Sequence, residues 1–124
     1  MEKETIIGQC LAKANHYLAV PDHQGGQRII KDEAFRAYER SFMKQCKVYR
    51  NRLISHPFIL HADVFQSSVR YDLDNSLKTI LDLLQDVQAI TNDNLCIGIQ
   101  ATKHIDPKNP RVEFSIQETE PTIF

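Results

Sequence analysis

The chain has 124 residues, 42% hydrophobic and 25% charged, with a formal net charge of −1; these values describe one globular domain and exclude a disordered polymer. No apolar run approaches the ~20 residues of a membrane-spanning helix, and Met1-Glu2-Lys3-Glu4 lacks the basic-then-apolar order of a signal peptide. Cys10, Cys46 and Cys96 are odd in number, far apart and form no C-x-x-C, so reduced, packed thiols and a cytoplasmic protein are expected.

The charges are unevenly distributed. From Gln27 to Arg52 eight Lys/Arg stand against three acids, and from Leu53 onward five stand against ten. Such a chain can offer a basic face to a polyanion and still keep an acidic pocket for cations. Two solvated faces of opposite sign would read the same way.

Thr5 to Leu11 is β-leaning and predicts a first strand, weakened by Gly8. After Lys13–Tyr17, the residues Pro21, Asp22, Gly25 and Gly26 predict a loop, and Arg28-Ile29-Ile30 a short strand. Asp32 is placed to cap a helix over Glu33–Tyr49. Its apolar stripe is Ala34, Phe35, Tyr38, Phe42, Cys46 and Tyr49, and Arg36, Arg40, Lys44 and Lys47 form a basic ridge on another face. That ridge is either ordinary helix surface or a row of phosphate contacts.

Pro57 to Gln66 alternates with apolar residues in both phases, the pattern of an interior strand. A second helix is expected from Asp74, as N-cap, to Asp86, burying Leu73, Leu77, Ile80, Leu81 and Leu84. Leu95–Thr102 and Arg111–Gln117 alternate as strands, joined by a proline-containing loop; Glu118–Phe124 reads as a loose tail. The strand–helix–strand unit around this second helix predicts a right-handed crossover between parallel strands. An α+β domain over residues 1–117 is expected, with a mixed sheet of about four strands and two helices packed on it.

The chemistry concentrates in Tyr71-Asp72-Leu73-Asp74-Asn75-Ser76-Leu77-Lys78. Asp72 and Asp74, two apart at a strand-to-helix junction, can converge above the strand's carboxyl end, where open α/β sheets bind ligands. Asp93, just ahead of the next strand, is expected to approach the pair from the side. Carboxylates held close repel unless a cation neutralises them, and hard divalent ions take oxygen ligands. Lys78, one turn from Asp74, is placed to stabilise charge on a phosphate. A metal-dependent phosphodiesterase site follows. The plainer alternative has Asp74 as a cap, Asp72 in solvent, and Lys78 paired with Asp74 and Asp82.

The block Asp72-Leu73-Asp74-Asn75, with Lys78, Asp82 and Asp93 at their spacings, resembles the RusA-type Holliday-junction resolvases. Asn15-His16-Tyr17, the Arg-rich entry from Arg28 to Tyr38, and a closing hairpin from Leu95 to Gln117 extend the resemblance over nearly the whole chain. The resemblance implies a homodimeric, Mg²⁺-dependent endodeoxyribonuclease, with Mn²⁺ as a substitute ion, that nicks four-way DNA junctions symmetrically in recombination and repair. It implies Asp72, Asp74 and Asp93 as metal-binding catalytic aspartates, Lys78 as the catalytic lysine, and a cytoplasmic protein of a bacterium or prophage. One departure is Asn92, where the family commonly has a second aspartate. From the residues themselves, Arg28, Lys31, Arg36, Arg40, Lys44, Arg70 and Tyr71 are candidate DNA contacts. Other branched DNA (flaps or forks), a catalytically silent junction binder and a cation-binding structural protein remain as alternatives.

Overall fold

The computed structural model describes residues 1–120. Six strands and two α-helices run β1 (Glu4–Ile7), β2 (Tyr17–Pro21), β3 (Gln27–Lys31), α1 (Glu33–Gln45), β4 (Phe58–Gln66), α2 (Leu73–Asp86), β5 (Cys96–Ile105) and β6 (Arg111–Glu118). Four of the strands form a mixed sheet in the order β1-β6-β4-β5, while β2 and β3 form a separate antiparallel hairpin. The α+β class and the two-helix, four-strand arrangement are those expected.

β4 is the interior strand its two-phase apolar pattern predicts, parallel to β5 and antiparallel to β6. One phase, Phe58, Leu60, Ala62, Val64 and Gln66, is buried under the helices. β6 adds Val112, Phe114 and Ile116 to the same core. Phe114 stacks on Phe42 of α1 with ring centroids 6.2 Å apart, and Tyr49 lies tilted against it at 5.7 Å. Aromatic area of this kind supplies much of the burial available to a domain of this size.

The expected Leu95–Gln117 hairpin is not what forms. β6 pairs with β4 and β1, and β5 is left as an edge strand. The parallel crossover occupies one side of β4, so the returning chain pairs with the open opposite side. β5 also runs beyond its expected end, to Ile105, and exposes Ile97, Ile99 and Ile105.

α1 stops at Gln45 rather than Tyr49. The cause is Glu4, which is 5% exposed: its Oε1 accepts from the Val48 and Tyr49 N–H groups at 2.7 and 3.2 Å. Those two donors leave the helical ladder for a carboxylate on β1, and Cys46 and Tyr49 reach the core from irregular backbone. Asp32 caps α1 as expected, its carboxylate accepting from Phe35 N–H at 2.8 Å. That N–H, together with His16, holds the Asp32 carboxyl below the usual range.

The expected loop at Pro21–Gly26 is a hairpin tip whose first strand, β2, its sequence did not suggest. Asp22 Oδ1 accepts from Gln24 and Gly26 N–H groups at 2.8 and 2.9 Å, and Gly25 takes φ +83°. β1 is shorter than expected because Gly8 turns the chain at φ +120°. The expected tail begins inside the sheet, since Glu118 ends β6 and Thr119 N–H donates to Pro57 O at 3.0 Å; positions 121–124 lie outside the described residues. Among the described residues no helix is long and apolar enough to cross a membrane.

Candidate active site

The junction between β4 and α2 is held by a buried polar chain. Gln66 ends β4 with no exposed surface; its Nε2 donates to Ser76 Oγ at 2.7 Å, and its Oε1 accepts from Gln9 Nε2. Ser76 donates in turn to Asp72 O, from its hydroxyl at 3.0 Å and its N–H at 3.3 Å. The last residue of the strand is thus tied to the first turn of the helix. Buried polar groups joined this way specify one geometry, because each unmade bond costs desolvation.

Asp72, not Asp74, is the N-cap residue of α2, with extended backbone and no side-chain cap bond. Asp74 lies inside the first turn, and its Oδ1 accepts from Asn75 N–H at 2.9 Å. Asn75 Nδ2 donates to Asp72 Oδ2 at 3.3 Å. Both carboxylates are exposed and share one helix N-terminus, whose free N–H groups favour negative charge. Each keeps one oxygen without a partner among the described residues.

The buried stripe of α2 is Ser76, Thr79, Ile80, Leu83 and Leu84, while Leu73, Leu77 and Leu81 are only half-buried. The helix is therefore rotated from its apolar-only reading, because Ser76 and Thr79 face inward, the first accepting from Gln66 Nε2 and the second donating to Leu11 O. Lys78 is exposed and pairs with neither Asp74 nor Asp82; Asp82 lies 3.8 Å from Lys13 instead. The plainer alternative's ion pairs do not form.

Asp93 is where the structure departs most from expectation. It opens a short 3₁₀ turn (Asp93–Leu95) just before β5, and its N–H is held by Gln85 Oε1 at 2.9 Å, beside the last turn of α2. Asp72 and Asp74 sit at the other end of that helix. Fourteen residues at ~1.5 Å rise separate the two ends by roughly 20 Å. A parallel crossover returns the chain to the end of the sheet where the first strand began, so the side-by-side approach expected for Asp93 does not occur within one chain. Among the described residues no three His, Cys, Asp or Glu converge to hold an ion. Asn92 accepts from Asn94 N–H at 2.9 Å and so caps the same short turn.

A cavity of about 330 Å³ opens beside Asp72, lined by Asn15, His16, Arg70, Tyr71 and Asn75 among others. The Asn15-His16 segment reaches it because Thr79 and Asp82 hold Leu11 and Lys13 against α2. His16 Nδ1 lies 2.7 Å from Asp32, which joins this segment to the start of α1. Arg70 stacks over the Tyr71 ring, 5.2 Å from its centroid, and its guanidinium lowers the pKa of the Tyr71 phenol.

Of the other candidate DNA contacts, Lys31 is paired with Glu39 at 2.7 Å, and Glu33 takes both Arg40 at 2.5 Å and Arg36 at 3.6 Å. Arg28 is exposed on the hairpin, and Arg36, Arg40 and Lys44 line a groove between α1 and the last turn of α2. The ridge is real, but it is partly neutralised by its own helix. Two polar residues of the site were missed in the sequence, Gln66 and Lys103. Lys103 Nζ donates to Val69 O at 3.1 Å and Tyr71 O at 2.9 Å, on the segment that leads into Asp72. Both residues occupy the inward phase of a strand, and a polar side chain there is the available signal.

The fold thus joins a mixed sheet, a carboxylate pair at a strand-to-helix junction, a lysine one turn on that makes no ion pair among the described residues, and a basic helix. The model of the endodeoxyribonuclease RusA family matches residues 8–117, and the chain belongs to that family. A comparison with curated proteins finds no match.

Proposed function

We propose that this protein is a homodimeric, Mg²⁺-dependent endonuclease that binds four-way DNA junctions and nicks two strands symmetrically. The observation that carries the reading is the exposed pair Asp72 and Asp74 on one helix turn, beside a Lys78 that makes no ion pair among the described residues, in a chain of the RusA family. Mg²⁺ is held by one or two carboxylates together with water and phosphate oxygens, and the free oxygens of this pair fit that demand. Mn²⁺ accepts the same donors. When bound, the ion polarises the scissile phosphate and lowers the pKa of its water. Lys78 lies within one turn and supplies positive charge to the phosphate as negative charge develops. Arg70 and Tyr71 border the same cavity and suit a splayed backbone and base.

Asp93 enters this reading through a second copy. Isologous pairing of β5 with the β5 of another protomer runs antiparallel, which sets the start of one strand beside the end of the other. Asp93 precedes β5, and Asp72 follows the neighbouring parallel β4, so that pairing brings Asp93 of one chain toward the Asp72–Asp74 pair of the other. Two equivalent sites result, as paired nicking requires. The edge supports the arrangement: β5 is ten residues long and, among the described residues, unpaired on its outer side, with Ile97, Ile99 and Ile105 exposed by 56%, 43% and 45%. Long apolar edges of this kind pair readily.

The test uses labelled four-way junction, flap, fork, duplex and single-stranded DNA, with and without Mg²⁺. Symmetric cuts confined to the junction and dependent on the ion are expected. Asp74→Asn should bind junction as the parent does and lose cleavage by at least about a hundredfold. Cleavage by that variant at the parental rate refutes the reading.

A further inference from the structure

Lys103 stands on β5 opposite Val64 in the parallel register, in the phase that faces the helices. The residue is half-buried, and its ammonium reaches over the chain that enters α2. It makes no ion pair among the described residues. Its partners are two main-chain carbonyls, Val69 O and Tyr71 O. Val69 is 76% exposed and Arg70 is exposed, so little burial holds this segment in place. The side chain crosses from the edge strand to the chain entering α2 and stops one residue short of the N-cap, Asp72.

Two consequences follow. Fixing Tyr71 O fixes the peptide plane from which Asp72 departs, and so the direction in which its carboxylate leaves the helix. A full positive charge on that segment also opposes the repulsion between Asp72 and Asp74. A methionine or leucine in the same place would fill the space and do neither. We propose that Lys103 is a positioning residue for the metal-binding pair: it holds the Val69–Tyr71 segment by its carbonyls so that Asp72 and Asp74 present their oxygens to one divalent cation. This inference rests on the reading of Asp72 and Asp74 as metal ligands. Lys103 touches neither ion nor phosphate and acts through Asp72.

The test compares the parent protein with Lys103→Met, Lys103→Gln, Lys103→Arg and Asp74→Asn. Binding of Mn²⁺ alone is followed by electron paramagnetic resonance, melting temperature by circular dichroism, and junction cleavage over a Mg²⁺ series. Removing groups that orient metal ligands typically weakens metal binding by 10–100-fold. Lys103→Met should therefore weaken Mn²⁺ binding by about tenfold or more and raise the half-saturating Mg²⁺ concentration in proportion. Junction affinity without the ion should stay within about twofold, and Lys103→Arg should recover much of the loss. Parental Mn²⁺ affinity in a folded Lys103→Met or Lys103→Gln protein overturns the inference. So does failure of both variants to fold, because Lys103 would then serve the fold and not the site. If Asp74→Asn keeps parental cleavage and Mn²⁺ binding, the active-site reading itself fails; if only the Lys103 variants are silent, the failure is confined to Lys103.

Discussion

The separation of Asp93 from Asp72 and Asp74 leads to a decisive complementation experiment. Asp74→Asn and Asp93→Asn are prepared separately; each homodimer has two defective sites and is expected to be inactive. In a mixed dimer whose sites are shared between chains, one site collects both substitutions and the other collects neither. Random exchange of equal amounts makes about half of the dimers mixed, each with one intact site, so about one quarter of the parental sites return. A site contained within one chain gives no recovery, because every chain then carries a substitution in its own site. The structure sets the contrast: Asp93 is tied to Gln85 at the far end of a 14-residue helix, roughly 20 Å from Asp72. Thermal or mild-denaturant exchange of the two variants, followed by a nicking assay with Mg²⁺, reads the result. About a quarter of parental nicking is expected, as single cuts and not paired ones. Absence of recovery after verified exchange refutes the shared site and, with it, pairing through β5.

Four further outcomes are expected. Glu4→Ala strips the Val48 and Tyr49 N–H groups of their buried acceptor and should cost about 2–5 kcal/mol, read by urea denaturation, with Cys46 gaining reactivity. The native thiols should resist labelling at pH 8: burial lifts Cys10 to about 11 and Cys46 to about 12, leaving about one thiolate in a thousand or fewer, and burial also raises half-buried Cys96. Fast labelling of all three without denaturant would contradict the buried core. Acid should destabilise the fold through Glu113, lowered by Lys3 and Arg111, and Asp32, lowered by the Phe35 N–H and His16. Both carboxyls are depressed in the folded state, so their contribution is complete above the ordinary carboxylate range and fades as pH falls below about 4; Glu113→Gln should flatten that loss in a melting-temperature series. Finally, Lys44→Ala should weaken junction binding evenly across DNA sequences and reduce the salt slope by about one; an unchanged slope would remove α1 from the DNA interface.

How much of this was legible in the sequence differs by level. Local periodicity was enough to place α1, α2, β4 and β6 as helices and strands, because the spacing of apolar residues distinguishes a period of 3.6 from one of two. The grouping of Asp72, Asp74 and Lys78 was legible too, since they lie within seven residues and chain geometry alone holds them together. The end of α1 and the rotation of α2 were not, because each depends on a partner far along the chain. Glu4 draws two N–H groups away from a helix 40-odd residues later, and Thr79 turns inward to donate to Leu11 O. No local window contains such pairs.

The sequence by itself therefore determined the α+β class, the acidic pair and the lysine one turn beyond it. Only the tertiary structure decided where Asp93 goes. A crossover between parallel strands carries the chain back along the full length of a helix, so residues that look close in sequence order end at opposite ends of that helix. The same fold decided the place of Lys103, which the chain brings from an edge strand to the two carbonyls ahead of Asp72.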